Sequence, residues 1–400
     1  MKGLNVLKKL FLLCSLVAST LIYADELGDI LSDNKEMIFD YQFESNELES
    51  DILSKSWMNP VSLSYSKSFS SQFDESSWAY SIKIDQPIFK SGGIYYGIKY
   101  SQALRDATRA DLKLQKRTMI GDAISILFNM KKTKLEQEKM KYQIKNDTID
   151  IRQKRDSYDA GLLDSSFLDQ AILKKSQDET ALLQLELTLM ELQQQFALLS
   201  DKDPKSLHLP KLKLMSKSNY SEANLELKRD RLRAEQADYN QKVTWAKYLP
   251  TVSVQGTYID SLSANPFQSA FDQNYYTYGF MISMPLDINS FSDIEASKVE
   301  KLKAAVEVLD RKNTVEEEYH WIDKSLSILD KKIVLAKKDE KVYKNLYRLT
   351  KNLADAGEKT SFDADIMHNS LQIRKIDQKI YEIDKQIQLL KLYVRVENAI

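Results

Sequence analysis

The tripeptide Asp-Ala-Gly occurs twice between long helical stretches of this 400-residue chain, as Asp159-Ala160-Gly161 and as Asp355-Ala356-Gly357, 196 positions apart. Upstream of each copy runs a polar, heptad-like stretch of about 66 residues, and downstream one of about 39, with no proline in either. Glycine between two such stretches marks a helix C-cap, because it alone enters the left-handed region without steric cost. Each return helix restarts on N-cap residue types, Asp164-Ser165-Ser166 in the first copy and Thr360-Ser361 in the second. Each half of the chain is therefore expected to be a very long antiparallel helical hairpin with a tight tip. A period of nearly 200 residues exceeds any solenoid unit and reads as a duplicated domain.

The remaining segments repeat in the same order. The first repeat is placed at 25–200: a helix to about Ser56, two strands at 60–70 and 77–87, then a long hairpin with its tip near 159–166. Residues 201–218 hold Pro204 and Pro210 and read as a linker. The second repeat is placed at 219–400: a helix from Tyr220 to Tyr248, strands at 251–261 and 275–285, and a hairpin with its tip near 355–361. Ser91-Gly92-Gly93 turns the chain into the first long helix, and Ser292 with Glu295 reads as a capping box for the second. All seven prolines fall in strands, loops or the linker, as they must if the long stretches are helical. At 1.5 Å per residue, 66 residues span roughly 100 Å, about the length of a short helix and a return helix placed end to end.

Residues 1–24 have the form of a secretory signal peptide: Lys2, Lys8 and Lys9, an apolar run from Leu10 to Ile22, and Tyr23-Ala24 before Asp25. Cys14, the one cysteine, lies inside it behind Leu13 rather than the small residue that lipid attachment favours. Cleavage leaves no thiol chemistry and takes the net charge from -1 to about -4, which gives no case for nucleic acid. His208, His320 and His368 lack ligand spacing, and Ser91-Gly92-Gly93 lacks the residues of a phosphate loop. No catalytic, metal or cofactor site is expected, and the chain does not read as an enzyme.

The strands alternate apolar with Ser, Thr, Gln or Lys and are about ten residues long, the length that crosses a tilted bilayer. Candidate lipid-facing residues are Val61, Leu63, Tyr65, Trp78, Tyr80, Ile82, Val252, Val254, Tyr258, Tyr276, Tyr278, Phe280 and Ile282. Trp57, Trp78, Trp245, Tyr248 and Tyr275 are candidates for interfacial belts. A soluble sandwich with one wet face alternates in the same way. Four strands cannot close a barrel, and lipid tolerates no open sheet edge, so spanning strands require more than one chain.

Taken in order, these pieces resemble the outer-membrane efflux protein family, the TolC-like channels. The resemblance rests on Lys247-Tyr248-Leu249-Pro250-Thr251-Val252-Ser253-Val254 entering a strand and Ser283-Met284-Pro285-Leu286 leaving one. Asn59-Pro60-Val61 and Gln86-Pro87-Ile88-Phe89 are the weaker first-half counterparts. The tips complete it, with Phe167-Leu168-Asp169-Gln170-Ala171 after the first and Phe362-Asp363 after the second. It covers essentially the whole mature chain. The fold it implies is mainly α with a small β part: duplicated long helical hairpins forming a periplasmic α-barrel, and four strands per chain contributing to a trimeric 12-stranded transmembrane β-barrel. The function it implies is an outer-membrane exit duct of a tripartite efflux or type I secretion system. The partners it implies are two further copies of the chain, a periplasmic membrane-fusion adaptor protein, an inner-membrane transporter and outer-membrane lipid. Gly161 and Gly357 would be the periplasmic tip turns. Asp164, Asp169, Lys359, Asp363 and Asp365 are candidate entrance or gating charges, with helix capping as the plainer role. The sequence departs from the family at Ala354, where an aromatic is common, at Glu358-Lys359, and at Phe167, where an acidic residue often stands. A periplasmic coiled-coil adaptor or structural protein is the alternative, although one hairpin flanked by β-rich segments would suit that better than two.

Overall fold

The computed structural model describes residues 30–71, 75–263 and 274–397; the expected signal peptide lies outside them. Among the described residues, seven helices and four strands follow one another: α1 (Asp33–Ser54), β1 (Ser62–Ser70), β2 (Glu75–Phe89), α2 (Gly93–Asp159), α3 (Ser165–Ala197), α4 (Lys217–Glu222), α5 (Leu225–Lys247), β3 (Thr251–Ser263), β4 (Asn274–Ser283), α6 (Ser290–Asp355) and α7 (Ser361–Tyr393). The two long helices, α2 and α6, contain 67 and 66 residues.

Several boundaries differ from the sequence expectation, each for a local reason. β2 runs past Pro87 to Phe89, because a register shift there lets a residue without an N–H sit in the ladder. The helix expected from Tyr220 to Tyr248 is broken into α4 and α5. At the break, Asn224 forms a bridge with Val396, and Ala223 O accepts from Glu397 N–H at 3.0 Å, so the backbone leaves the helix to pair with the chain end. α6 begins two residues before Ser292, after Asp287 accepts the Asn289 N–H at 2.9 Å, so Ser292 and Glu295 lie inside its first turns rather than forming its cap.

The compact units are not the two halves of the chain. One takes Met1–Phe39, Leu114–Asn224 and Thr314–Ile400; the other takes Asp40–Lys113 and Leu225–Asn313. Each mixes both halves because the helices of one repeat pack on those of the other.

In the first unit, cross-helix contacts give the order α3-α2-α7-α6. Lys174 of α3 pairs with Asp147 of α2, and Gln137 of α2 donates to Leu185 O of α3 at 3.1 Å. Lys132 and Lys139 of α2 reach Asp384 and Asp377 of α7 at 2.8 and 2.7 Å. Lys385 and Gln378 of α7 reach Asp330 and Glu340 of α6 at 2.6 and 2.7 Å. Between these polar contacts the seams are apolar: Ile124, Leu127 and Phe128 on α2, Leu389 and Leu392 on α7, and Val315 and Ile322 on α6 are buried. The linker is strapped to this array, with Gln386 bonding both the N–H and the carbonyl of Leu212 and Tyr319 donating to Met215 O at 2.8 Å.

The second unit repeats the pattern as α1-α2-α5-α6. Ser101 of α2 donates to Ser50 O of α1 at 2.7 Å, Arg229 of α5 reaches Asp111 of α2 at 3.3 Å, and Arg311 of α6 reaches Asp230 of α5 at 2.8 Å. Burial alone would raise the Asp230 carboxyl, but Arg229 and Arg311 override it and hold Asp230 below the usual range. The same unit holds the sheet, one antiparallel run in the order β1-β2-β3-β4. The hairpins of the two halves are thus joined through β2 and β3.

Candidate functional site: helical tips and sheet faces

Both tips close with the same hydrogen-bond pattern. At the first, Gly161 N–H donates to Tyr158 O at 2.8 Å and Leu162 N–H to Ser157 O at 2.9 Å. At the second, Gly357 N–H donates to Ala354 O at 3.0 Å and Glu358 N–H to Leu353 O at 2.8 Å. This is the Schellman cap, and it requires the left-handed φ of +71° at Gly161 and +77° at Gly357.

The structure places two of the five candidate charges in caps. Asp164 is the N-cap of α3 and accepts the Ser166 N–H at 2.8 Å, a bond that lowers its pKa. Asp363 forms a capping box with Thr360 at the start of α7. The Thr360 hydroxyl holds the Asp363 carboxyl low, with help from the Gln153 side chain and Lys359. Asp169, Lys359 and Asp365 are exposed. The tips are also tied to each other, with the Arg152 guanidinium of α2 4.8 Å from the Phe362 ring of α7. Nothing local in the sequence marks Arg152 or Gln153, because their partners lie some 210 positions away. The first tip presents Leu162, 81% exposed, where the second presents Glu358.

Neither tip glycine would meet an atom within 4 Å if given a Cβ, so the backbone conformation alone penalises substitution. Gly161→Val and Gly357→Val are each expected to cost about 1–3 kcal/mol locally. Hydrogen exchange at the tip amides is expected to accelerate while the array above stays protected. Unchanged protection would remove the turn role.

On the sheet, the register puts every candidate lipid-facing residue on one face. One row reads Leu63, Ile82, Tyr258, Tyr276, and others pair Val254 with Phe280, Val252 with Ile282, Tyr65 with Tyr80 and Trp78 with Lys67. Tyr278 follows opposite Gly256, and Val61 precedes the first row with the same parity. The opposite face is largely hydroxyl-bearing, with Ser64 bonded to Ser81 at 2.7 Å and Ser68 to Ser77 at 2.9 Å. Lys67, Ser76, Gln86, Asp260 and Asn274 interrupt the apolar face. Two belt candidates are placed otherwise. Tyr248 is buried and donates to Asp293 at 2.6 Å, and Tyr275 lies opposite Ile259 on the other face. Among the described residues, β1 and β4 each have one neighbour, no helix is long and apolar enough to cross a membrane, and no group of His, Cys, Asp or Glu is placed to hold a metal ion.

No family model and no curated protein matches the sequence. Solved structures do match. The outer membrane protein VceC from Vibrio cholerae is similar with a TM-score of 0.72 over 94% of this chain and 96% of its own, at 13% identity. The CmeC outer membrane channel of Campylobacter jejuni gives 0.74 over 93% and 85%, at 14% identity. The MtrE outer membrane channel of Neisseria gonorrhoeae, in its open state, gives 0.64 over 93% and 87%, at 12% identity. The chain has the TolC-like fold.

At such identities the shared feature is the path of the backbone. Within the TolC-like fold, this chain's own chemistry lies at its edges. Along the α6 edge, Trp321, Ile328, Leu335, Val342 and Leu349 recur every seventh residue and are all exposed. Along the α3 edge, Leu173, Leu183, Leu187 and Met190 are exposed. Residues 321–351 of α6 carry nine basic and four acidic side chains, while α3 carries five acidic and two basic.

Proposed function

We propose that this protein is an outer-membrane exit duct that works as a homotrimer. The observation that carries the reading is that each layer ends in two unlike open edges. The sheet is open at β1 and β4, and the helix array at α3 and α6. The apolar stripes on α3 and α6 bear opposite charge excesses, so one copy's α6 suits the next copy's α3. Unlike edges mate head to tail, and a head-to-tail contact that closes forms a ring. Three copies give twelve strands and twelve lower helices. The closed sheet satisfies its edges in lipid, with the face of Leu63, Tyr80, Tyr278 and Phe280 outward and the serine face lining the lumen. Localisation follows: outer membrane, with the helices extending into the periplasm.

The tips would be the entrance. There, a periplasmic adaptor would dock and join the duct to an inner-membrane transporter of an efflux or type I secretion system. Asp169, Lys359 and Asp365, repeated three times, would focus field at its mouth. Asp164 and Asp363 already serve their helices.

The test is the mass of the full chain extracted from membranes in detergent, combined with cysteine labelling. Three chains per particle are expected. Ser81→Cys should react with a membrane-impermeant thiol reagent and Tyr278→Cys should not. Recovery as a soluble monomeric rod would sink the duct and favour the adaptor reading.

A further inference from the structure

Among the described residues, Lys67 is the one basic side chain on the apolar face of the sheet. Its ammonium pairs with no carboxylate there and lies 5.9 Å from the centroid of the Trp78 ring, which stands across from it on β2. One row nearer the helices, Tyr65 and Tyr80 face each other with ring centres 4.9 Å apart, and both are exposed. Adjacent rows of β1 and β2 thus carry an ammonium, an indole N–H and two phenol hydroxyls, all of them hydrogen-bond donors. Asp260, the one acid on this face among the described residues, lies beyond Tyr80 on β3 and bounds the patch on that side.

The height of this patch on the sheet gives it a partner. All four strands join the helices at one end, that of Ser62, Phe89, Thr251 and Ser283, and Lys67 lies toward the other. The register runs along β3 from the row of Val252 and Ile282 to the row of Lys67, Trp78 and Leu262. At about 3.3 Å per residue and a tilt of about 40°, those rows are roughly 25 Å apart in height, the height of the apolar band that a membrane barrel shows to lipid. Lys67 and Trp78 therefore fall at the border of the band farthest from the helices. There the lysine stem can lie on apolar surface while the ammonium reaches the headgroups, and an indole ring suits the same level. A patch that carries donors and a positive charge is complementary to phosphate oxygens, which only accept.

We propose that Lys67, Trp78, Tyr65 and Tyr80 hold the anionic, phosphate-bearing headgroup of an outer-leaflet lipid, one on each chain. The inference rests on the duct reading, which sets the strands in lipid. In the test, the full-length protein in detergent is titrated with phosphatidylglycerol, and native mass spectrometry counts the lipids bound per chain. One lipid per chain is expected to remain when weaker adducts are lost. Lys67→Gln should weaken it about fivefold, the effect of one cation at an anionic membrane surface, and Lys67→Arg should keep it. Lys83 stands on the opposite face of the sheet, so Lys83→Gln should leave the affinity unchanged. Undiminished affinity in Lys67→Gln, an equal loss in Lys83→Gln, or displacement by inorganic phosphate at the lipid's own concentration overturns the site. Lipid binding that needs Lys67 in chains that stay monomeric supports the site and counts against the duct. Trimers that conduct but hold the lipid without Lys67 overturn the site and leave the duct standing.

Discussion

If the chain forms the proposed homotrimeric duct, Leu335→Asp combined with Val342→Asp is expected to leave monomers and abolish export. Both side chains stand one heptad apart on the free edge of α6 and are 59% and 53% exposed in the single chain. The substitutions therefore cost the isolated fold little, and helix content should be retained. In the proposed ring the same positions would face α3 of the next copy. Each loses about 1.5–3 kcal/mol of apolar burial and places an unpaired carboxylate in the seam, at three interfaces at once. Light scattering in detergent reads the outcome. Leu183→Asp with Leu187→Asp on the α3 edge should reproduce it, because a head-to-tail contact is broken equally from either side. Trimers surviving both pairs would show that these stripes are not the mating edges.

The second large effect is on stability and has an unusual sign. Gly to Ala inside a helix normally stabilises by about 0.5–1 kcal/mol. Gly97, in the same helix as Gly121, has open space where a Cβ would stand, so Gly97→Ala should stabilise by that amount. A Cβ on Gly121 would come within 2.2 Å of Val394 Cγ2 just past α7, a distance that forces the backbones apart. Gly121→Ala is expected to destabilise by about 1–3 kcal/mol despite its better propensity. Adding Val394→Ala removes both γ carbons and should restore most of the loss. Denaturant midpoints of the four proteins measure the contrast, and a stabilised Gly121→Ala would remove the close approach.

The long helices, both tips and the strand alternation were legible because each is encoded locally. Heptad spacing, two glycines followed by N-cap residues, and period-two strands need no knowledge of the rest of the chain. Gly161 and Gly357 take positive φ in matching caps. Asp164 and Asp363, candidate entrance charges with capping as the plainer role, are engaged in capping, which their positions before a helix and three residues after Thr360 also encode. The break at Asn224 has no local signal, because its cause, Val396, lies 172 residues away. Arg152 over Phe362, Asn146 with Asn369 and Gly121 against Val394 share that character: each joins α2 to the chain around α7, and neither sequence neighbourhood hints at the other.

Local sequence encodes the elements and their order, apart from the break at Asn224, and which strand residues share a face, since a strand's alternation assigns its faces before it has neighbours. Packing between segments distant in the chain set the rest. It joined the two hairpins through β2 and β3, interleaved the halves into two units, set the order α3-α2-α7-α6, and thereby left α3 and α6 as edges. The physical reason is that a long amphipathic helix specifies an apolar stripe but not the helix that covers it. That choice comes from summed packing and ion pairs between residues far apart in the chain, such as Lys132 with Asp384 and Arg311 with Asp230.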